Sequence, residues 1–165
     1  MAYEQNPYAI KITAVADASG ATVVNGGSTY LQTQFTFVKL ASASITSYNE
    51  SGNVVTACTA VTDRPLGILQ NQPKAWFDAN GNIEGVSEAE VTISGISKVK
   101  AGGTITVGQP LTIDLSGNAV AQTITAGTSA LTATGTWVLG TALSSGVSGD
   151  IITMVVAAAA SGRAA

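Results

Sequence analysis

Apolar and polar side chains alternate with a period of two from residue 9 to residue 156. The first run, Ala9-Ile10-Lys11-Ile12-Thr13-Ala14-Val15, reads as a strand. Tyr30 to Leu40 (YLQTQFTFVKL) carries the strongest signal in the chain. Leu31, Thr33, Phe35 and Phe37 share one face, and Gln32, Gln34 and Thr36 share the other. This pattern predicts one continuous strand with a core face and a face for water or a polar partner. The pattern returns in Val54 to Thr62, Glu88 to Ile96, Thr104 to Val107, Leu111 to Leu115, Ala119 to Ile124, Thr136 to Leu139 and Asp150 to Val156. Turn residues separate these runs. Ser51-Gly52-Asn53, Asn80-Gly81-Asn82 and Ser116-Gly117-Asn118 share the chemistry of a hairpin tip, and Asn25-Gly26-Gly27 and Ala101-Gly102-Gly103 mark further reversals. No window of helical length holds a 3.6-residue apolar period with caps at both ends. The expected fold is all-β, a single-domain antiparallel β-sandwich or barrel-like fold with short hairpins and extended termini. Residues 1–20 form an arm and first strand, 21–156 the β domain and 157–165 a flexible tail.

Composition says how that core is built. A chain of 165 residues is one domain by length, and 45% of it is hydrophobic while only 5% is aromatic. Ala, Thr, Gly, Val and Ser dominate, which suits pleated sheets and tight turns and disfavours long helices. Only 10% of the residues are charged, seven Lys and Arg against ten Asp and Glu, for a net charge of −3. Nucleic-acid binding needs a clustered positive footprint, so no nucleic-acid partner is expected. Histidine is absent, which removes Ser-His-Asp and Cys-His catalysis. A single cysteine, Cys58, excludes an internal disulfide framework and a cysteine zinc site. The start, MAYEQNPYAIKI, lacks the pattern of a secretory signal, and the longest apolar run, Ile151 to Ala160, falls short of the roughly 20 residues a spanning helix needs. The expectation is a chain made in the cytoplasm with no membrane partner.

Candidate chemistry is sparse. Asp78-Ala79-Asn80-Gly81-Asn82-Ile83-Glu84 places oxygen side chains at alternate positions, as a hard cation requires. Its glycine and its last ligand fall out of step with a calcium loop, and a hairpin tip accounts for the same residues. Glu88 and Glu90 point the same way on one strand, which suits a solvated edge better than carboxylates facing each other across a sugar bond. Lys98 and Lys100 form a matching basic pair. Cys58 has the surroundings of a small buried hydrophobe. No nucleophile elbow or phosphate loop is present. No catalytic residue, cofactor or metal ligand is assigned, and the chain is expected not to be an enzyme. Contact residues are the remaining candidates. Trp76 and Phe77 follow a turn at Asn71-Gln72-Pro73 and serve either as a core plug or as an anchor in a partner. Tyr3, Pro7 and Tyr8 stand in a weakly charged arm suited to dock on a neighbouring subunit.

Three segments in order carry a resemblance. They are Thr62-Asp63-Arg64-Pro65-Leu66-Gly67-Ile68, then Gly95 to Leu111 (GISKVKAGGTITVGQPL), then Gly140 to Ile152 (GTALSSGVSGDII). Together they resemble the capsid decoration, or cement, proteins of tailed bacteriophages over about residues 54–156. The family pattern includes no catalytic residue. The resemblance implies a mostly β protein on the outer surface of the mature capsid in the virion. It would stabilise the shell as a homotrimer at three-fold positions, with the major capsid protein and its own copies as partners. The alternative is a phage tail or fibre component, or another non-catalytic β module such as a glycan binder.

Overall fold

The computed structural model describes residues 9–19, 21–41, 53–122 and 137–157. Among them every regular element is a strand. The twelve are β1 (Ile10–Ala16), β2 (Ser28–Tyr30), β3 (Phe37–Leu40), β4 (Val54–Ala57), β5 (Gly67–Leu69), β6 (Lys74–Phe77), β7 (Ile83–Val86), β8 (Glu88–Lys100), β9 (Pro110–Ile113), β10 (Ala119–Ala121), β11 (Gly140–Ala142) and β12 (Ile151–Val156). The fold is all-β, as the alternation predicts.

Five strands close into a small barrel in the order β1-β4-β3-β5-β8, and β8 pairs back onto β1. All its pairings are antiparallel except β1 with β4. The 13-residue β8 serves two sheets. Up to Ser94 it pairs with β1 and β5, and from Gly95 onward with β12. Gly95 sits at the handover with φ +95, a conformation that glycine adopts without steric cost. The sheet then continues β12-β11-β9-β10, and a parallel bridge between Ala101 and Ala119 returns β10 to the end of β8. The second half therefore curls toward closure as well. A separate three-stranded sheet, β2-β6-β7, packs alongside.

Two cores share the wall between these halves. Val38 and Leu69 face the first core with Ala14, Ala16, Val55, Ala89 and Val91. Their chain neighbours Phe37 and Ile68 face the second, with Leu111, Leu139, Ile152 and Met154. Both faces of β3 and β5 are thus covered, so all three residues of β5 are buried and the strand reads as an unbroken apolar run.

The structure corrects several sequence expectations. Tyr30 to Leu40 is two strands in two sheets, because the chain crosses over between Leu31 and Thr36. Phe35 has φ +65, and its N–H donates to the Leu69 carbonyl at 2.8 Å. Gln32 Nε2 donates to Val55 O at 2.8 Å, Gln34 Nε2 to Gln70 O at 2.6 Å and Thr36 Oγ1 to Thr33 O at 2.6 Å. Local side-chain bonds replace the ladder that the alternation implied. Of Thr104 to Val107 only Ile105 bridges, to Gly146; of the strand expected at Thr136 to Leu139, Thr136 lies outside the described residues and residues 137–139 precede β11, which begins at Gly140. Leu115 belongs to the β9–β10 turn. Cys58 lies just past β4, where it is still fully buried.

Candidate interaction faces

Neighbouring residues Trp76 and Phe77 separate onto opposite faces of β6. Phe77 is buried with Ala75, Ala18 and Ile83, while Trp76 is 43% exposed. The core plug and the anchor are therefore one residue each. On the outer face of the small sheet Trp76 lies opposite Ser28 and Gly85, and Tyr30 opposite Lys74. The Lys74 ammonium sits 4.6 Å from the Tyr30 ring centroid, a cation–π contact. Tyr3, Pro7 and Tyr8 lie outside the described residues.

A second exposed face, aliphatic, lies on β8 and β12. Ile151 and Val155 point outward from β12, opposite Lys100 and Ile96. The loops at the end of this face carry exposed Leu143, Val147 and Val107. They are held by Leu143 N–H to Thr153 O at 2.8 Å, Val107 N–H to Ser145 Oγ at 3.0 Å and the Ile105–Gly146 bridge. Exposed aliphatics grouped on one face are the pattern expected of a contact surface.

The Asp78 segment is a hairpin tip between β6 and β7. Asp78 Oδ1 accepts from the N–H groups of Asn80 and Asn82 at 2.8 and 2.7 Å, and Oδ2 accepts from Asn82 Nδ2 at 2.9 Å. The Asn82 side chain, and then these backbone donors, hold the Asp78 carboxyl below its ordinary range. The β9–β10 tip repeats the geometry with Asp114, Ser116 and Asn118 at 2.8, 2.8 and 2.9 Å. The turn therefore uses the carboxylate oxygens of both tips, and no cluster of three or more metal-binding side chains occurs among the described residues. Glu88 and Glu90 were expected at an edge, but β8 is central. Their outward positions clear the neighbours, and Glu90 pairs with Lys11 across β1.

Cys58 is enclosed in the second core. Burial, and secondarily the Asp63 carboxylate, push its thiol up to about 12 against the pull of Lys39. A raised folded-state pKa gives stability that is complete below the unfolded thiol's ordinary range and is lost as pH climbs toward the folded value. Native protein is expected to leave a thiol reagent unreacted at pH 8 and to react fully once unfolded. From about pH 8.5 upward its unfolding free energy should fall more steeply than that of Cys58→Ala.

No protein-family model matches the chain, and no curated protein matches it. A solved structure does. The chain shares its fold with the head fiber gp8.5 N base of bacteriophage phi29. The match covers 91% of this chain and 95% of that one, with a TM-score of 0.52 and 17% sequence identity. At that identity the likeness is one of fold.

Sequence reasoning missed Tyr30 and Lys74 as neighbours of Trp76. Their pairing depends on β2 joining β6 across more than 40 residues, and no local period reports a register of that range.

Proposed function

We propose that this chain is a structural subunit of a tailed-phage head, bound to the outside of the mature capsid and stabilising it as a homotrimer. The observation that carries this reading is the fold shared along nearly the full length of both chains with a phage head-fibre base. The decoration-protein resemblance of residues 54–156 supports it from the sequence side. The strands that carry the resembling segments, β5, β8, β9, β11 and β12, form the shared wall and the second half of the fold.

The role needs rigidity and contact area, with no reactive group. Two cores built on one long strand supply the rigidity. The face carrying Ile151, Val155, Leu143, Val147 and Val107 supplies aliphatic area for another copy of the chain. Its charges are Lys98 and Lys100 of β8, which have no carboxylate partner among the described residues, and exposed Asp150, whose Oδ2 accepts from Val147 N–H at 2.9 Å. A stable trimer contact of this kind buries about 2,000 Å² or more. Many copies with modest contacts would together restrain a shell through multivalency. The Tyr3, Pro7 and Tyr8 arm remains part of the proposal as a segment docking on a neighbour.

Analytical ultracentrifugation tests the trimer. The full chain is expected to sediment as three copies. Ile151→Glu is expected to sediment as a monomer with its β spectrum intact, because Lys100 lies opposite to receive the new carboxylate. A wild-type chain that is monomeric at all concentrations, and that fails to pellet with heads lacking it, would contradict the proposal.

A further inference from the structure

The two exposed faces differ in chemistry, and the difference assigns them different partners. The β8–β12 face is aliphatic. The outer face of the small sheet presents two aromatic rings with Ser28 and Lys74 as neighbours and exposed Glu84 on the adjoining strand. A protein–protein hot spot places its aromatic anchor among water-excluding apolar neighbours. The described residues around Trp76 on this face provide polar groups in their place.

The rings are also supported from below. Gly85 stands opposite Trp76, and a Cβ built there would lie 3.5 Å from Trp76 Cε3, so the indole rests against a position with no side chain. The Cε3 edge of the indole lies against the sheet there, and the residue is still 43% exposed. Tyr30, 56% exposed, is steadied by the Lys74 ammonium. Tyr30 and Trp76 are diagonal cross-strand neighbours, an arrangement that spaces residues roughly 7–8 Å apart on one face. Both stand on paired strands, so little ordering is needed before a ligand binds.

From this arrangement we propose that the Tyr30–Lys74–Trp76 face is a binding platform for a glycan chain of hexopyranose units. The C–H-bearing face of a pyranose ring is apolar and weakly positive, and it stacks on the negative face of an indole or phenol ring. The hydroxyls around its rim need donors and acceptors beside the rings, and Ser28, Lys74 and Glu84 supply them. Two rings on one strip fit successive sugars of a chain better than a single monosaccharide. This platform is independent of the head-subunit reading and would give such a subunit a means of holding a glycan-coated surface.

The test is a titration of the full-length, isotope-labelled chain with cellohexaose, chitohexaose and maltohexaose to about 10 mM, a range suited to weak sites. The probes are the indole N–H signal of each tryptophan and, in the variants that lack Trp76, the backbone N–H signals of Ser28 and Tyr30 on the neighbouring strand. With at least one oligosaccharide the Trp76 signal is expected to shift and saturate while the Trp137 signal stays fixed. Trp76→Ala is expected to weaken binding by at least about tenfold, and Tyr30→Ala by severalfold, with the remaining spectrum unchanged. Trp76→Phe should restore part of the loss, which a purely structural role for the indole does not predict. Absence of a Trp76 shift with all three sugars would overturn the proposal. So would a Trp76 signal that moves with protein concentration alone, since a second copy would then be the occupant.

Discussion

Replacing Phe37 by alanine is expected to destabilise the chain by roughly 3–5 kcal/mol, the range for removing a buried phenyl ring. Phe37 is fully buried and joins the two halves of the fold. It stands in β3 of the barrel, opposite Ile68, and its side chain lies in the second core. Its N–H donates to Gly117 O at 2.7 Å, and its carbonyl accepts from Cys58 N–H at 3.1 Å. Loss of the ring leaves a cavity where the β9–β10 tip meets the barrel, and paired backbone on both sides limits collapse into it. Denaturant titration measures the change. Trp76→Ala is the comparison, on the outer face of a sheet, where a change within about 0.5 kcal/mol is expected. Similar losses from both substitutions would contradict the assignment of Phe37 to the shared wall.

Gly140→Ala is expected to cost more than about 4 kcal/mol or to abolish folding. Gly140 joins β11 to β12 and β9 with φ +151, a region essentially reserved for glycine. A Cβ there would overlap the Val155 carbonyl oxygen at 1.8 Å and approach Met154 Cε at 2.7 Å. The obstacle is chiefly backbone, so no rotamer change relieves it, and the β11–β12 pairing would have to open. Gly103→Ala is the control, since it meets nothing within 4 Å, and it should leave the thermal transition nearly unchanged. A well-folded Gly140→Ala protein with an unaltered midpoint would contradict the close approach of β11 and β12.

These two positions show what the sequence could and could not disclose. Strands that are half-buried, such as β1 and β12, keep a strict alternation and were legible within a residue or two. The Asn80-Gly81 and Ser116-Gly117 tips were legible because hairpin chemistry is local. Phe37 was read as a core residue, but its role as a link between cores was not, because β3 and β5 are covered on both faces and lose the period of two. The crossing at Leu31 to Thr36 was misread for a related reason. Its glutamines alternate like the polar face of a strand, yet Gln32 and Gln34 turn their amides onto Val55 and Gln70 carbonyls. Of the candidate contact residues, Trp76 was singled out from its exposed type and loop setting. Tyr30 and Lys74 became visible only once long-range pairing placed them beside it.

The central proposal is that the chain is a subunit of a phage head, and the copy number in purified particles tests it most directly. Gel densitometry of intact virions against the major shell protein gives the ratio. The account predicts a ratio near one to one, as trimers occupying the three-fold positions of a lattice require. Complete absence of the chain from the particles, or a handful of copies confined to the tail, would contradict it.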